Sequence, residues 1–148
     1  MNTAANANDS IELARFNMVE QQVRTWDVLD QRILDLLHAL PREDFVPDTY
    51  KGVAYADTNV PLGDGQFMLA PRIVARALQA TTPQPLDRVL EVGTGSGYLT
   101  AALAALSAHV VSVELSQTLY TQAGARLKSK GIRNVSLING NGAKGWEV

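Results

Sequence analysis

Arg88-Val89-Leu90-Glu91-Val92-Gly93-Thr94-Gly95-Ser96-Gly97-Tyr98 decides the fold of this chain. Val89 to Val92 is a short β-branched and apolar run that reads as a strand, and Ser96 to Ser107 is an Ala/Leu-rich run that reads as a helix. The glycines between them mark a sharp strand-to-helix turn. Backbone N–H groups at such a junction point outward, and the start of the helix is electropositive. Glycine lets the chain turn there and approach a ligand without a Cβ in the way.

Outward from this stretch the pattern repeats. Val110 to Val113 predicts a second strand, Gln117 to Lys130 a second helix with Gly131 at the position of a C-terminal cap, and Val135 to Ile138 a third strand. Strands alternating with helices predict an α/β fold, a Rossmann-like doubly wound parallel sheet with right-handed crossovers.

The details of the loop narrow its ligand. A dinucleotide fingerprint needs Gly or Ala three residues after the second glycine, and that position here is Tyr98. No Gly-Lys-Ser/Thr follows the glycines, which excludes a P-loop for ATP. The second strand ends in Glu114, 19 residues after Gly95, where a carboxylate can accept both hydroxyls of a ribose. A tight βα turn beside a solvated strand end would share these residues. The strand-turn-helix context favours nucleoside binding.

The front of the chain is different in kind. Residues 1–9 are rich in Asn and Ala and read as frayed, and Ser10 is a candidate N-cap for a helix carrying Ile11, Leu13, Ala14, Met18, Gln22 and Val23. Asp27 is a candidate cap for a second helix whose face is Val28, Ile33, Leu34, Leu36, Leu37 and Leu40, stopped by Pro41. Six Pro and Gly residues between Pro41 and Gly65 predict loops and short extended pieces. Pro71 suits the first turn of a third helix over 71–82 with Ile73, Val74, Ala77 and Leu78 inward. Thr82-Pro83-Gln84-Pro85 then joins an all-helical front to the α/β part.

The composition fits these elements and excludes several functions. The 148 residues are 46% hydrophobic and 19% charged, enough for a sizeable core without staples or metals. A net charge of −2 with scattered Lys and Arg makes no case for nucleic acid or an anionic membrane. The absence of cysteine removes disulfides and thiolate metal sites, and suits a cytoplasmic setting. No apolar run approaches a membrane span, and the first ten residues carry no signal-peptide pattern. His38 and His109 read as a helix-surface and a strand-start residue, Trp26 and Trp146 as packing residues, and no catalytic residue or metal site is assigned.

Glu91-Val92-Gly93-Thr94-Gly95-Ser96-Gly97 with the later Val113-Glu114 resembles the cofactor motifs of class I S-adenosylmethionine-dependent methyltransferases. That resemblance implies S-adenosyl-L-methionine as cofactor, held by Glu91, Gly93, Thr94, Gly95, Ser96, Gly97, Glu114, Leu115, Asn141 and Gly142. Glu91 would lie near the ammonium group and Glu114 at the ribose. Met18-Val19-Glu20-Gln21-Gln22, Pro41-Arg42-Glu43 with Val46-Pro47, Tyr55-Ala56-Asp57, Pro61 to Gln66 and Gly140 to Trp146 occur in the order of the protein-L-isoaspartate O-methyltransferase family. The resemblance runs from about residue 17 to 146. It implies methylation of the carboxyl group of isoaspartyl residues in damaged proteins, with a protein or peptide as partner. A flexible N-terminus over 1–16, a helical and loop region on the substrate side over 17–82, and the first half of the cofactor domain over 86–148 follow from it.

Two positions depart from the family pattern. Where the family reads Gly-Gln-Thr-Ile-Ser, this chain has Gly65-Gln66-Phe67-Met68-Leu69, so both hydroxyls are replaced by groups that donate no hydrogen bond. The family's Gly-Asp-Gly is Gly140-Asn141-Gly142, whose amide oxygen still accepts from an adenine amino group. Asp57, Gln66, Phe67, Met68 and Leu69 are the substrate-side candidates. Another methyl acceptor, or a cofactor-binding module without catalysis, are the alternative readings. Only three of the family's seven strands are present, which predicts an apolar edge at Val89 to Val92 open to self-association.

Overall fold

The structure is a computed structural model that describes residues 3–148. Helix α1 spans Thr3–Asn17 and continues into a π-helical turn, Met18–Val23, and a 3-10 turn, Arg24–Trp26. Ser10 lies inside α1 rather than at its start, and its hydroxyl donates back to the Ala7 carbonyl at 2.8 Å. Ile11 and Leu13 face solvent, and the inward surface begins at Met18, Val19 and Val23. Asp27 does not cap the next helix. It adopts a left-handed φ of 59° and closes the 3-10 turn, while Asp30 accepts from Arg32 N at 2.9 Å and caps α2, Gln31–Ala39. Only Asp30 has the extended backbone that an N-cap requires.

The segment after Pro41 holds two further 3-10 turns, Arg42–Asp44 and Asp48–Val53. It then forms an antiparallel hairpin of β1, Val60–Gly63, and β2, Gln66–Met68. The front is therefore not all-helical. Asp64 and Gly65, at φ 52° and 68°, make the turn, with the two left-handed central residues of a type I′ loop. Helix α3, Pro71–Thr81, starts on its proline and buries Val74, Ala75 and Leu78. Ile73 is exposed, and Ala75 takes the inward place expected for it.

The second part runs β3 (Arg88–Val92), α4 (Tyr98–Leu106), β4 (His109–Glu114), α5 (Gln117–Ser129) and β5 (Val135–Asn139). The strands are parallel in the order β3-β4-β5, with Val92 beside Val113 and Glu114 beside Asn139. Right-handed crossovers advancing in one direction put α4 and α5 on the same face. The start of α4 accordingly abuts α5, because a Cβ on Gly97 would meet Ala123 and Leu127 at 3.5 and 3.6 Å. Gly131, at φ 68°, follows the last turn of α5 as the glycine signal predicts.

One core crosses the Thr82–Pro85 connector. Met18, Ile33, Leu37, Phe45 and Val74 from the front are buried in the same cluster as Tyr98, Ala102 and Val110. Phe45 meets Tyr98 edge to face with ring centroids 5.6 Å apart, within the favoured aromatic range. The front is thus locked to the first turn of α4, directly behind the glycine loop. Among the described residues no helix is long and apolar enough to cross a membrane.

Candidate functional site

The carboxyl ends of β3 and β4 open into a cavity of about 620 Å³, within the size range of small-molecule sites. This is where ligands bind in open parallel sheets. Glu114 lines the cavity. Its Oε2 accepts from Gly95 N at 2.8 Å and its Oε1 from Ser116 N at 2.9 Å, so the carboxylate is held in one orientation although it ends a strand. Each carboxylate oxygen retains a second lone pair for a ligand hydroxyl.

The three glycines of the loop have separate tasks. Gly93 and Gly95, at φ 95° and 56°, line the cavity. Gly97, at φ 87°, does not line it and instead permits the close approach of α4 to α5. Thr94 and Ser96 also turn inward. Thr94 Oγ1 lies 2.6 Å from Ser112 Oγ, and Ser96 Oγ accepts from Tyr98 N at 3.2 Å.

Leu115, Asn141 and Gly142 line the cavity beside Glu114, brought there because the loop after β5 folds over the end of β3. A Cβ on Gly142 would lie 2.8 Å from Val92 Cγ1, so glycine is what allows that closure. Asn141 Oδ1 accepts from Ala143 N at 2.9 Å, which fixes the amide at the rim. Trp146 packs back on Gly140, as a packing residue.

Glu91 does not reach this cavity. It lies below the loop, beside a smaller cavity of about 70 Å³ shared with Gly93 to Ser96, Tyr98 and the Phe67–Leu69 strand end. Its Oε2 accepts from Thr100 Oγ1 and Ser112 Oγ, each at 2.5 Å, while Oε1 has no hydrogen-bond partner in the protein. Burial pushes its carboxyl up to about 7, opposed by the two hydroxyl bonds and aided by the nearby Glu114.

The substrate-side candidates divide in the same way. Gln66 and Phe67 line the large cavity, and Phe67, Met68 and Leu69 the small one. Phe67 is 56% exposed and Leu69 44%, so the rim is an apolar lip. Asp57 lines neither cavity. It is paired with Arg72, whose guanidinium stacks 4.3 Å from the Trp26 ring. Sequence reasoning missed Asp64, which lines the large cavity and accepts from Ser116 Oγ at 2.7 Å, tying the hairpin turn to the start of α5. The Asp-Gly pair between apolar runs was the available signal. The histidines stay outside the site, His38 beside Glu20 and His109 on Ser136.

A glycine loop between a parallel strand and helix, with an acidic residue ending the next strand, is a nucleoside-binding arrangement, and here it forms the cofactor half of a class I methyltransferase fold. Residues 14–148 match the family Protein-L-isoaspartate(D-aspartate) O-methyltransferase, and the chain belongs to it. It is 43% identical over 134 residues to a protein-L-isoaspartate O-methyltransferase of Klebsiella pneumoniae, a match covering 90% of this chain and 64% of that one. It is 47% identical over 121 residues to the Vibrio parahaemolyticus protein of the same name, covering 82% and 58%. The chain thus spans less than two thirds of the length of these relatives. Among solved structures, a protein-L-isoaspartate O-methyltransferase superposes with a TM-score of 0.71 at 26% identity, over 86% of this chain and 42% of that chain. A Plasmodium falciparum protein of the same family, in complex with S-adenosyl-L-homocysteine, shares the fold with a TM-score of 0.70 at 22% identity, over 88% and 63%.

Proposed function

We propose that this chain binds S-adenosyl-L-methionine in the 620 Å³ cavity and serves methyl transfer to the side-chain carboxylate of L-isoaspartyl residues in damaged proteins. The observation that carries the reading is Glu114, which lines the cavity with its two oxygens oriented by Gly95 N and Ser116 N. The residues fit the cofactor: Glu114 offers acceptors for ribose hydroxyls, Gly93 and Gly95 allow close approach, and Asn141 carries an amide at the rim. Family membership and the two curated relatives of that name support the same activity.

When bound, the cofactor supplies a methyl group on a sulfonium, which passes to a carboxylate oxygen as the sulfur becomes a neutral thioether. An ionised carboxylate is already nucleophilic at neutral pH, so no general base is required. The task of the protein is then alignment and exclusion of water. In this reading the Phe67–Leu69 lip, which borders the small cavity beside the loop, would help to exclude water once substrate covers it. A second reading, transfer to a different acceptor, is favoured by that same lip, since no hydroxyl remains in Gln66–Leu69 to hold a carboxylate. A cytoplasmic location, and contact between copies along the open edge of β3 where Val92 is 56% exposed, complete the reading.

Calorimetric titration with S-adenosyl-L-homocysteine, followed by methyl transfer to matched isoaspartyl and aspartyl peptides, tests it. Binding with transfer to the isoaspartyl peptide alone is the expected result. Binding with transfer to neither peptide would move the choice to another acceptor, and no binding would remove the cofactor assignment.

A further inference from the structure

Arg42 is the largest fully buried side chain among the described residues. No carboxylate pairs with it there, because the adjacent Glu43 is taken by Arg15 and Tyr55. Its Nε donates to the Ala54 carbonyl at 2.7 Å and its Nη2 to the Leu69 carbonyl at 2.7 Å, while Nη1 has no partner in the protein. The guanidinium lies 5.0 Å from the centroid of the Tyr98 ring. Burying a cation without an anion is costly, and an apolar side chain of similar volume would fill the space at less expense. The planar fork does what such a residue would not, since it holds two carbonyls at a fixed separation and stacks on an aromatic face.

The three segments it joins matter for the site. Ala54 follows the 3-10 turn Asp48–Val53, Leu69 follows β2, and Tyr98 opens α4 directly after the glycine loop. Leu69 and Tyr98 both line the small cavity beside Glu91. We propose that Arg42 is a positioning residue, whose guanidinium sets the height of the Phe67–Leu69 lip above the glycine loop and thereby aligns the methyl acceptor with the cofactor. This rests on the methyltransferase reading for its consequence in turnover, but the clamp itself can be tested without it.

The test compares the wild-type chain with Arg42→Met and Arg42→Lys. Amide hydrogen exchange at residues 66–70 should quicken at least about 10-fold in Arg42→Met, with β3, β4 and β5 exchanging as in the wild type. Affinity for S-adenosyl-L-homocysteine should stay within about 3-fold, while kcat on an isoaspartyl peptide falls on the order of 100-fold at unchanged cofactor KM. Arg42→Lys, which keeps the charge without the fork, should recover part of both losses. Wild-type exchange at 66–70, equally quickened exchange throughout the sheet, or unchanged kcat with a loosened lip would each overturn the proposal. If the wild type binds the cofactor analogue but methylates no peptide, the isoaspartyl reading fails and the exchange pattern alone decides the clamp. Should Arg42→Met not fold, Arg42→Lys carries the same comparison.

Discussion

Replacing Glu91 by glutamine should remove a pH dependence of stability that the wild type carries. The carboxyl is buried under the glycine loop, and its folded value is raised from 4.5 to about 7. For an acid shifted upward, the favourable protonated form is fully present below the unfolded value, and its contribution is lost as pH rises through the folded one. The relevant window is therefore pH 4.5 to about 7. Each pH unit there is worth about 1.4 kcal/mol, so ionisation costs the folded chain roughly 3 kcal/mol by pH 8. Glutamine keeps an oxygen able to accept from Thr100 and Ser112, but places an NH₂ where Oε1 finds no partner. That substitution carries its own cost of about 1–3 kcal/mol, independent of pH. Urea unfolding of both proteins between pH 5 and 8.5 should thus show Glu91→Gln gaining roughly 3 kcal/mol on the wild type across the range. Parallel stability curves for the two proteins would refute the argument and mean that Glu91 is solvated or already paired.

The remaining expectations separate residues that sequence alone grouped together. Gly142→Ala should weaken binding of S-adenosyl-L-homocysteine about 10-fold by calorimetry, because its Cβ forces Val92 or the 140–142 loop to move at a cost on the order of 1–3 kcal/mol. Gly97→Ala should do the reverse. It should lower stability by about 1–2 kcal/mol in urea unfolding through its left-handed φ of 87°, while leaving cofactor affinity unchanged. Asp57→Asn should leave peptide methylation at the wild-type rate and cost under about 1 kcal/mol of stability, since its Arg72 pair is partly exposed. A large loss of turnover would bring Asp57 into the substrate site.

The legible parts of this protein were those encoded by neighbours along the chain. β-branched runs, an Ala/Leu-rich helix and glycines at the turn predict β3, α4, β4, α5 and β5 to within two residues. Glu114 was legible because a strand end follows from periodicity. The Asp64-Gly65 hairpin is equally written in local turn chemistry, and the reading of loops and short extended pieces up to Gly65 covers its first strand without pairing it to the second. Asp27 and Asp30 show the limit of that code, since both residues suit a cap and only the backbone conformation chooses between them.

What the sequence by itself determined was the α/β order, the glycine turn and the acidic residue facing it, because each arises from backbone geometry within one or two elements. Only the tertiary structure decided which side chain each polar group meets. Glu91 shares its proton-sensitive site with Thr100 and Ser112, Asp57 is spent on Arg72, and Gly97 serves α5 rather than the cavity. Arg42 became a strut between Ala54 and Leu69 only when the chain closed. Hydrogen bonds and desolvation act between groups brought together by packing, and no spacing along the chain records which groups those are.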